Sequence, residues 1–240
     1  MRIPATRVLG ALVFDFDHTL TDFGRGVDWQ RARDQLVALY EGVGVDTSRV
    51  MRERGTLPII AALDREVTRL HDEARARVTR AEASHLLEQV ELAGAPRASL
   101  LPGAAELIRV AVGAGLKLGI VSANAESAIR AALDRLGVVG CFETIVGRDP
   151  VRPLKPEPDM HHEALRVLGC PAGAALGIGD STNDVRAALA AGMLAVGVAG
   201  GEGTPDDLLA AGASFVLADL TAAPALLALW RAAADDDERR

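Results

Sequence analysis

The sequence predicts an α/β fold: a doubly wound, Rossmann-like parallel sheet with an all-helical cap inserted into it. Six short apolar segments rich in β-branched residues carry the sheet. They are RVLGALVFDFD (7–17), KLGIVSAN (117–124), ETIVGRD (143–149), ALGIGDS (175–181), LAVGVAGG (194–201) and SFVLADL (214–220). Apolar runs of this kind fit strands buried on both faces. Segments of helical period separate the later ones, and strand–helix alternation at this rhythm gives βαβ units. The third observation is where the rhythm stops: residues 21–98 hold no convincing strand.

Each element has a local reason. PGAAELIRVAVGAG (102–115) opens with a proline suited to a first helical turn. ESAIRAALDRLG, EPDMHHEALRVLG and NDVRAALAAG close at Gly137, Gly169 and Gly192, where glycine takes the left-handed conformation that ends a helix. Within the insertion, DWQRARDQLVALYEG starts at a good N-cap, Asp28, and is amphipathic. PIIAALDREVTRLHDEARARV (58–78) and AEASHLLEQVELAG (81–94) read as two further amphipathic helices. DFGRG (22–26) and GAPRAS (94–99) read as linkers. The expected division is a core domain, 1–20 plus 99–240, and a helical cap domain, 21–98.

Composition narrows the function. At 240 residues and 49% hydrophobic, the chain can bury a full core. A net charge of −7 without a basic block argues against nucleic acid. Cys141 and Cys170 form no CxxC pair and no zinc-spaced cluster, and read as reduced, semi-buried thiols. The N-terminus carries Arg2 and Arg7, and its short apolar run ends in acids, unlike a signal peptide. No apolar run reaches the ~20 residues that span a bilayer. The expectation is a cytoplasmic protein without a membrane partner; nothing bears on oligomeric state. The tail ADDDERR reads as a solvated end.

The unusual residues fall at predicted strand ends, where open α/β sheets bind ligands. The first strand ends in Asp15, Asp17 and Thr19, the second in Ser122 and Asn124, and the fourth in Asp180 and Asp184. Lys155 follows the third. Ser122, Asn124, Thr182 and Asn183 also suit helix caps, and DxDxT alone is a short pattern. The four acids are harder to read as structural, because together they repel without a cation. Hard oxygen ligands suit Mg²⁺. Lys117 and Lys155 are the only lysines in an arginine-rich chain. Lys155 sits among Pro153, Pro156 and Pro158 and suits a phosphoryl group; Lys117, before a strand, reads as a surface residue.

In this order the motifs resemble those of the haloacid dehalogenase superfamily of phosphatases, over nearly the whole chain. DFDHT resembles the first motif, DxDxT; Ser122 in IVSAN the second; Lys155 in LKPEP the third; and GDSTND the fourth, GDxxxD. The helical insertion resembles the family's C1 cap. LPGAAELI, KPEPDM and GDSTNDVRAALAAGM are most similar to the phosphoglycolate phosphatase-like branch. His18 departs from the glycine common there, and reads as a solvent-facing loop residue.

The resemblance implies a mechanism. Asp15 is the nucleophile that forms an aspartyl-phosphate, and Asp17 the acid and then base for leaving group and water. Asp15, the Asp17 carbonyl, Asp180 and Asp184 hold Mg²⁺. Lys155 is catalytic and binds the phosphoryl group with Ser122, Asn124 and the amides near Thr19. The implied substrate is a small phosphorylated metabolite, under a cap that excludes water and selects it. Arg25, Arg52 and Arg54 are candidate cap contacts for a second anion, although the solvated surface is the preferred reading of each. A sugar-phosphate mutase of the β-phosphoglucomutase type would keep these motifs. A haloacid dehalogenase shares the nucleophile but needs neither Asp17 as an acid nor a metal. A response-regulator-like module is disfavoured by the cap and GDxxxD.

Overall fold

A computed structural model describes residues 9–48, 56–148, 153–225 and 227–228. The expectations for Arg2, Arg7, Arg52, Arg54 and the acidic tail lie outside them. Six parallel strands form one sheet: β1 (Ala11–Phe14), β2 (Lys117–Val121), β3 (Thr144–Val146), β4 (Ala175–Gly179), β5 (Leu194–Val198) and β6 (Phe215–Leu217). Their order is β3-β2-β1-β4-β5-β6. β1 is central, with Ala11 in register with Lys117 on one side and Ala175 on the other.

The period-two alternation of each strand feeds two cores. Leu12, Phe14, Leu118, Ile120, Leu176 and Ile178 pack on one face, with α4 (Ala104–Gly113) and α5 (Glu126–Arg135). Ala11, Val13, Val121, Ala175 and Ala195 pack on the other, with α6 (Asp159–Leu168), α7 (Thr182–Ala190) and α8 (Pro205–Ala210). Helices on both faces make the sheet doubly wound, as the buried strands require. Gly137, Gly169 and Gly192 take φ of 73°, 57° and 81°, the left-handed stops expected of them. Pro102 lies outside its helix, because Gly103 at φ 83° is the N-cap of α4.

Between β1 and α4 the chain forms α1 (Trp29–Gly42), α2 (Thr56–Leu70) and α3 (Glu73–Gly94). Asp28 caps α1, accepting from Arg31 N at 3.0 Å. The second and third helices divide differently from the sequence reading. The break falls at His71–Asp72, so α3 takes up both 73–78 and 81–94. Asp72 causes it: its carboxylate accepts from Arg75 N at 2.8 Å and starts a new helix, while His71 Nε2 meets Val43 O at 2.6 Å. The apolar stripe runs on across this stop, and it is the stripe that periodicity detects. Leu36, Tyr40, Leu63 and Leu87 of the three helices belong to the same core as Phe14 and Phe16.

Lys117 is half-buried and donates to the Leu168 carbonyl, so it is a strand-edge anchor more than a surface lysine. Cys141 and Cys170 are free and half-buried. Among the described residues no helix is long and apolar enough to cross a membrane.

Candidate active site

In strand order 3-2-1-4-5-6 the connections diverge between β1 and β4, and the crevice opens at their carboxyl ends. Asp15 follows β1 and Asp180 follows β4, so the two acids flank that crevice. Asp15 still pairs into the sheet, its N–H donating to Ile178 O at 2.8 Å. Asp184 arrives on the first turn of α7. Ser181, and not Thr182 or Asn183, caps this helix. Its N–H and hydroxyl donate to Asp184 Oδ2 at 2.9 and 2.6 Å in a capping box. Ligand atoms of Asp15, Asp180 and Asp184 lie within 4.8 Å of one another, all three buried.

Lys155 enters from the segment after β3, through a cis Lys155–Pro156 peptide. Its Nζ is 2.6 Å from Asp15 Oδ1 and 2.5 Å from Asp184 Oδ1, and donates to Val121 O at 3.1 Å. Burial works against its charge, but the two carboxylates outweigh it and hold the ammonium more firmly protonated than usual. Burial pushes Asp15 well above the ordinary carboxyl value against the pull of Lys155, with Asp184 and Asp180 adding to the rise. Burial and then Asp184 push Asp180 up to about 6. Asp184 itself is lowered: burial opposes this, and Lys155 with the Ser181 donors prevails. Asp15 and Asp184 thus share one ammonium with Asp180 beside them, and negative charge gathered there is what a divalent cation would neutralise. An all-oxygen, all-buried donor set fits a hard cation such as Mg²⁺.

Close backbone approach shapes both remaining acids. A β-carbon on Gly201 would lie 1.9 Å from Asp180 Oδ2, which accepts from Glu202 N at 2.8 Å. Asp180 Oδ1 receives the Thr19 hydroxyl at 3.2 Å. Asp17 Oδ1 accepts from Gly24 N at 2.8 Å and His18 N at 3.1 Å. Burial raises the Asp17 carboxyl despite these donors. Gly24 lies in the linker, 22–26, that leads into the helical insertion, so the start of the insertion is part of the site. His18 has φ 60°, the left-handed backbone that glycine takes more cheaply, and its side chain is exposed.

The cavity above these groups holds about 220 Å³ and is lined by Asp15, Asp17, Ser122, Asn124, Lys155, Asp180 and Asp184. Trp29 and Ile60 reach it from the insertion. Neither Ser122 nor Asn124 is the N-cap of α5: that position is Ala125, whose own side chain makes no capping bond. Ser122 Oγ donates instead to Asn124 Oδ1 at 3.0 Å. Thr19 lines a neighbouring cavity of about 190 Å³ together with Arg25, its hydroxyl being taken by Asp180. Of the eight candidate residues, seven therefore meet in one cavity and Thr19 stands behind it.

Glu91 and Arg148 are among the lining residues that the sequence did not single out. Glu91 lies in AEASHLLEQVELAG, a segment that reads from the sequence only as an amphipathic helix. The available signal was its spacing, one turn after Leu87 and three residues before Gly94, on the face that α3 buries.

A parallel sheet with an acidic cluster and a buried lysine at its switch point, under inserted helices, defines an α/β enzyme of the hydrolytic kind. A model of the haloacid dehalogenase-like hydrolases matches residues 9–192. The chain belongs to the haloacid dehalogenase-like hydrolase family. It is 30% identical over 202 residues to the probable phosphatase IndB of Dickeya dadantii, covering 83% of this chain and 85% of that one. It is 30% identical over 187 residues to a phosphoglycolate phosphatase of Rhodospirillum rubrum, covering 76% of each. A solved haloacid dehalogenase-like hydrolase from Bacteroides fragilis superposes with a TM-score of 0.67 at 25% identity, covering 89% of this chain and 98% of that one.

Proposed function

We propose that the protein is a Mg²⁺-dependent phosphatase that hydrolyses a small phosphorylated metabolite, of phosphoglycolate size, through a phosphorylated Asp15. One observation carries the reading: Lys155 Nζ sits between Asp15 and Asp184, at 2.6 and 2.5 Å, beside the third buried carboxylate of Asp180. This proximity supports reading Asp15 as nucleophile, Lys155 as the phosphoryl-binding cation and the carboxylates as hard metal ligands. Phosphatase names among the relatives and a cavity of about 220 Å³ support the substrate class.

Asp15 attacks phosphorus in line. The P–O bond to the leaving group breaks, and that oxygen takes a proton from Asp17, whose carboxyl burial raises above its ordinary value. Asp17 then accepts a proton from the water that attacks the acyl-phosphate, and inorganic phosphate leaves. Lys155 balances charge on the phosphoryl oxygens and, with Ser122 and Asn124, orients them. Asp15, Asp180 and Asp184, with the Asp17 carbonyl, would hold Mg²⁺, which offsets the repulsion between an anionic nucleophile and an anionic ester. Residues 21–98 serve as the cap and 1–20 plus 99–240 as the core, with Trp29 and Ile60 shielding the reaction from water.

The test is Mg²⁺-dependent phosphate release from p-nitrophenyl phosphate. Asp15→Asn is expected to abolish it, and excess chelator to do the same. Turnover that survives either change contradicts the reading.

A further inference from the structure

A buried ion pair that the proposed chemistry does not use stands at the wall of the cavity. Glu91, on α3, and Arg148, just after β3, have side chains only 1% and 6% exposed. The contact is bidentate: Arg148 Nη1 to Glu91 Oε1 at 2.9 Å and Nη2 to Oε2 at 3.0 Å. Two more donors converge on the same carboxylate, Asn124 Nδ2 at 3.1 Å and Ala125 N at 2.9 Å. Four donors fill the acceptor capacity of a carboxylate.

The arginine completes the grip from the other side. Arg148 Nη1 donates to Ala123 O at 2.8 Å, and its backbone N–H donates to Asn124 O at 2.8 Å. The backbone of 123–125 is thus held at three points. Gly147 permits the approach: a β-carbon there would lie 2.4 Å from Glu126 N and 2.9 Å from Asn124 O.

The orientation of Asn124 follows from charge. A carboxylate only accepts, so the Asn124 NH₂ turns to Glu91 and Oδ1 turns to Ser122. Ser122 Oγ is then pinned twice, donating to Oδ1 at 3.0 Å and accepting from Asn124 N at 3.3 Å. Buried ion pairs add little net stability over an apolar packing of the same volume. What this one supplies is geometry, in a loop that points one hydroxyl into the cavity.

We propose that Glu91 and Arg148 are positioning residues that fix the Asn124 amide and, through it, place the Ser122 oxygen, whose single O–H turns from Asn124 Oδ1 to the phosphoryl group when that group binds. The proposal rests on the phosphatase reading. It also makes the third cap helix a structural part of the phosphate-binding loop.

A double-mutant cycle with p-nitrophenyl phosphate tests it. Ser122→Ala in the wild type is expected to lower kcat/KM about 10²-fold, as loss of one preorganised donor does. In Glu91→Gln the same change is expected to cost less than about 3-fold, because the hydroxyl is already misplaced. Asn124→Ala leaves the ion pair whole and breaks the link, together with Asn124's own part in orienting the phosphoryl oxygens. It should show the same loss of sensitivity, and it serves where Glu91→Gln fails to fold. An equal cost of Ser122→Ala in all three backgrounds, with hydrolysis still dependent on Asp15, overturns the positioning role alone. Hydrolysis that survives Asp15→Asn overturns the phosphatase reading and this role with it.

Discussion

Gly24 presses its backbone against Asp17: a β-carbon there would lie 2.3 Å from Asp17 Oδ2, while its N–H holds Oδ1 at 2.8 Å. The side chain proposed to move a proton is set by the first residues of the insertion. Gly24→Ala must displace that carboxyl. The expected result is a fall in kcat of about 10²-fold, the scale of a misplaced general acid, with KM little changed. An alkyl phosphate, whose leaving group needs the proton most, should suffer more than p-nitrophenyl phosphate. Equal losses on both substrates would separate Asp17 from the leaving group.

Gly201 bears on Asp180 in the same way, at 1.9 Å for an added β-carbon. Gly201→Ala is expected to raise the Mg²⁺ concentration for half-maximal activity by about 10-fold or more, the usual cost of disturbing a ligand's supporting shell. Activity titrated against Mg²⁺ measures it. Rescue by saturating Mg²⁺ distinguishes a weakened metal site from a collapsed loop.

His161, on α6, is buried, and its Nδ1 has no hydrogen-bond partner among the described residues. Burial, with the nearby Lys155 charge, lowers its pKa from 6.5 to about 4. Between these values the unfolded chain takes up a proton that the folded chain refuses. The contribution is therefore whole above about pH 6.5 and is lost as pH falls toward about 4. Denaturation of wild type and His161→Gln at pH 7.5 and pH 5 reads it as a difference. The wild type should lose more stability across that interval than the variant, and parallel losses would remove His161 as the cause.

How much of this was legible in the sequence depended on range. Strand runs, glycine stops and the Asp28 cap are local signals, and the structure carries each of them. The residues proposed for the chemistry were legible because strand ends bring distant motifs to one edge: Lys155 and Asp15 meet across 140 residues of chain. The α2–α3 boundary was hidden because an apolar stripe survives a change of helix. Glu91 and Arg148 were hidden for a stronger reason. A charge on a helix normally marks the wet face, and only the contact between α3 and the loop after β2 shows that this one is dry.

The central claim is that Asp15 carries the phosphoryl group. An acyl-phosphate is reduced by borohydride to an alcohol, so a phosphorylated Asp15 becomes homoserine. Asp17→Asn, which lacks the base of the second step, is mixed with p-nitrophenyl phosphate, whose leaving group needs the Asp17 proton least, quenched in borohydride and mapped by peptide mass spectrometry. The account predicts homoserine at position 15, dependent on substrate and absent from Asp15→Asn. Substrate-dependent turnover with reduction at another carboxylate, or with none, would contradict it.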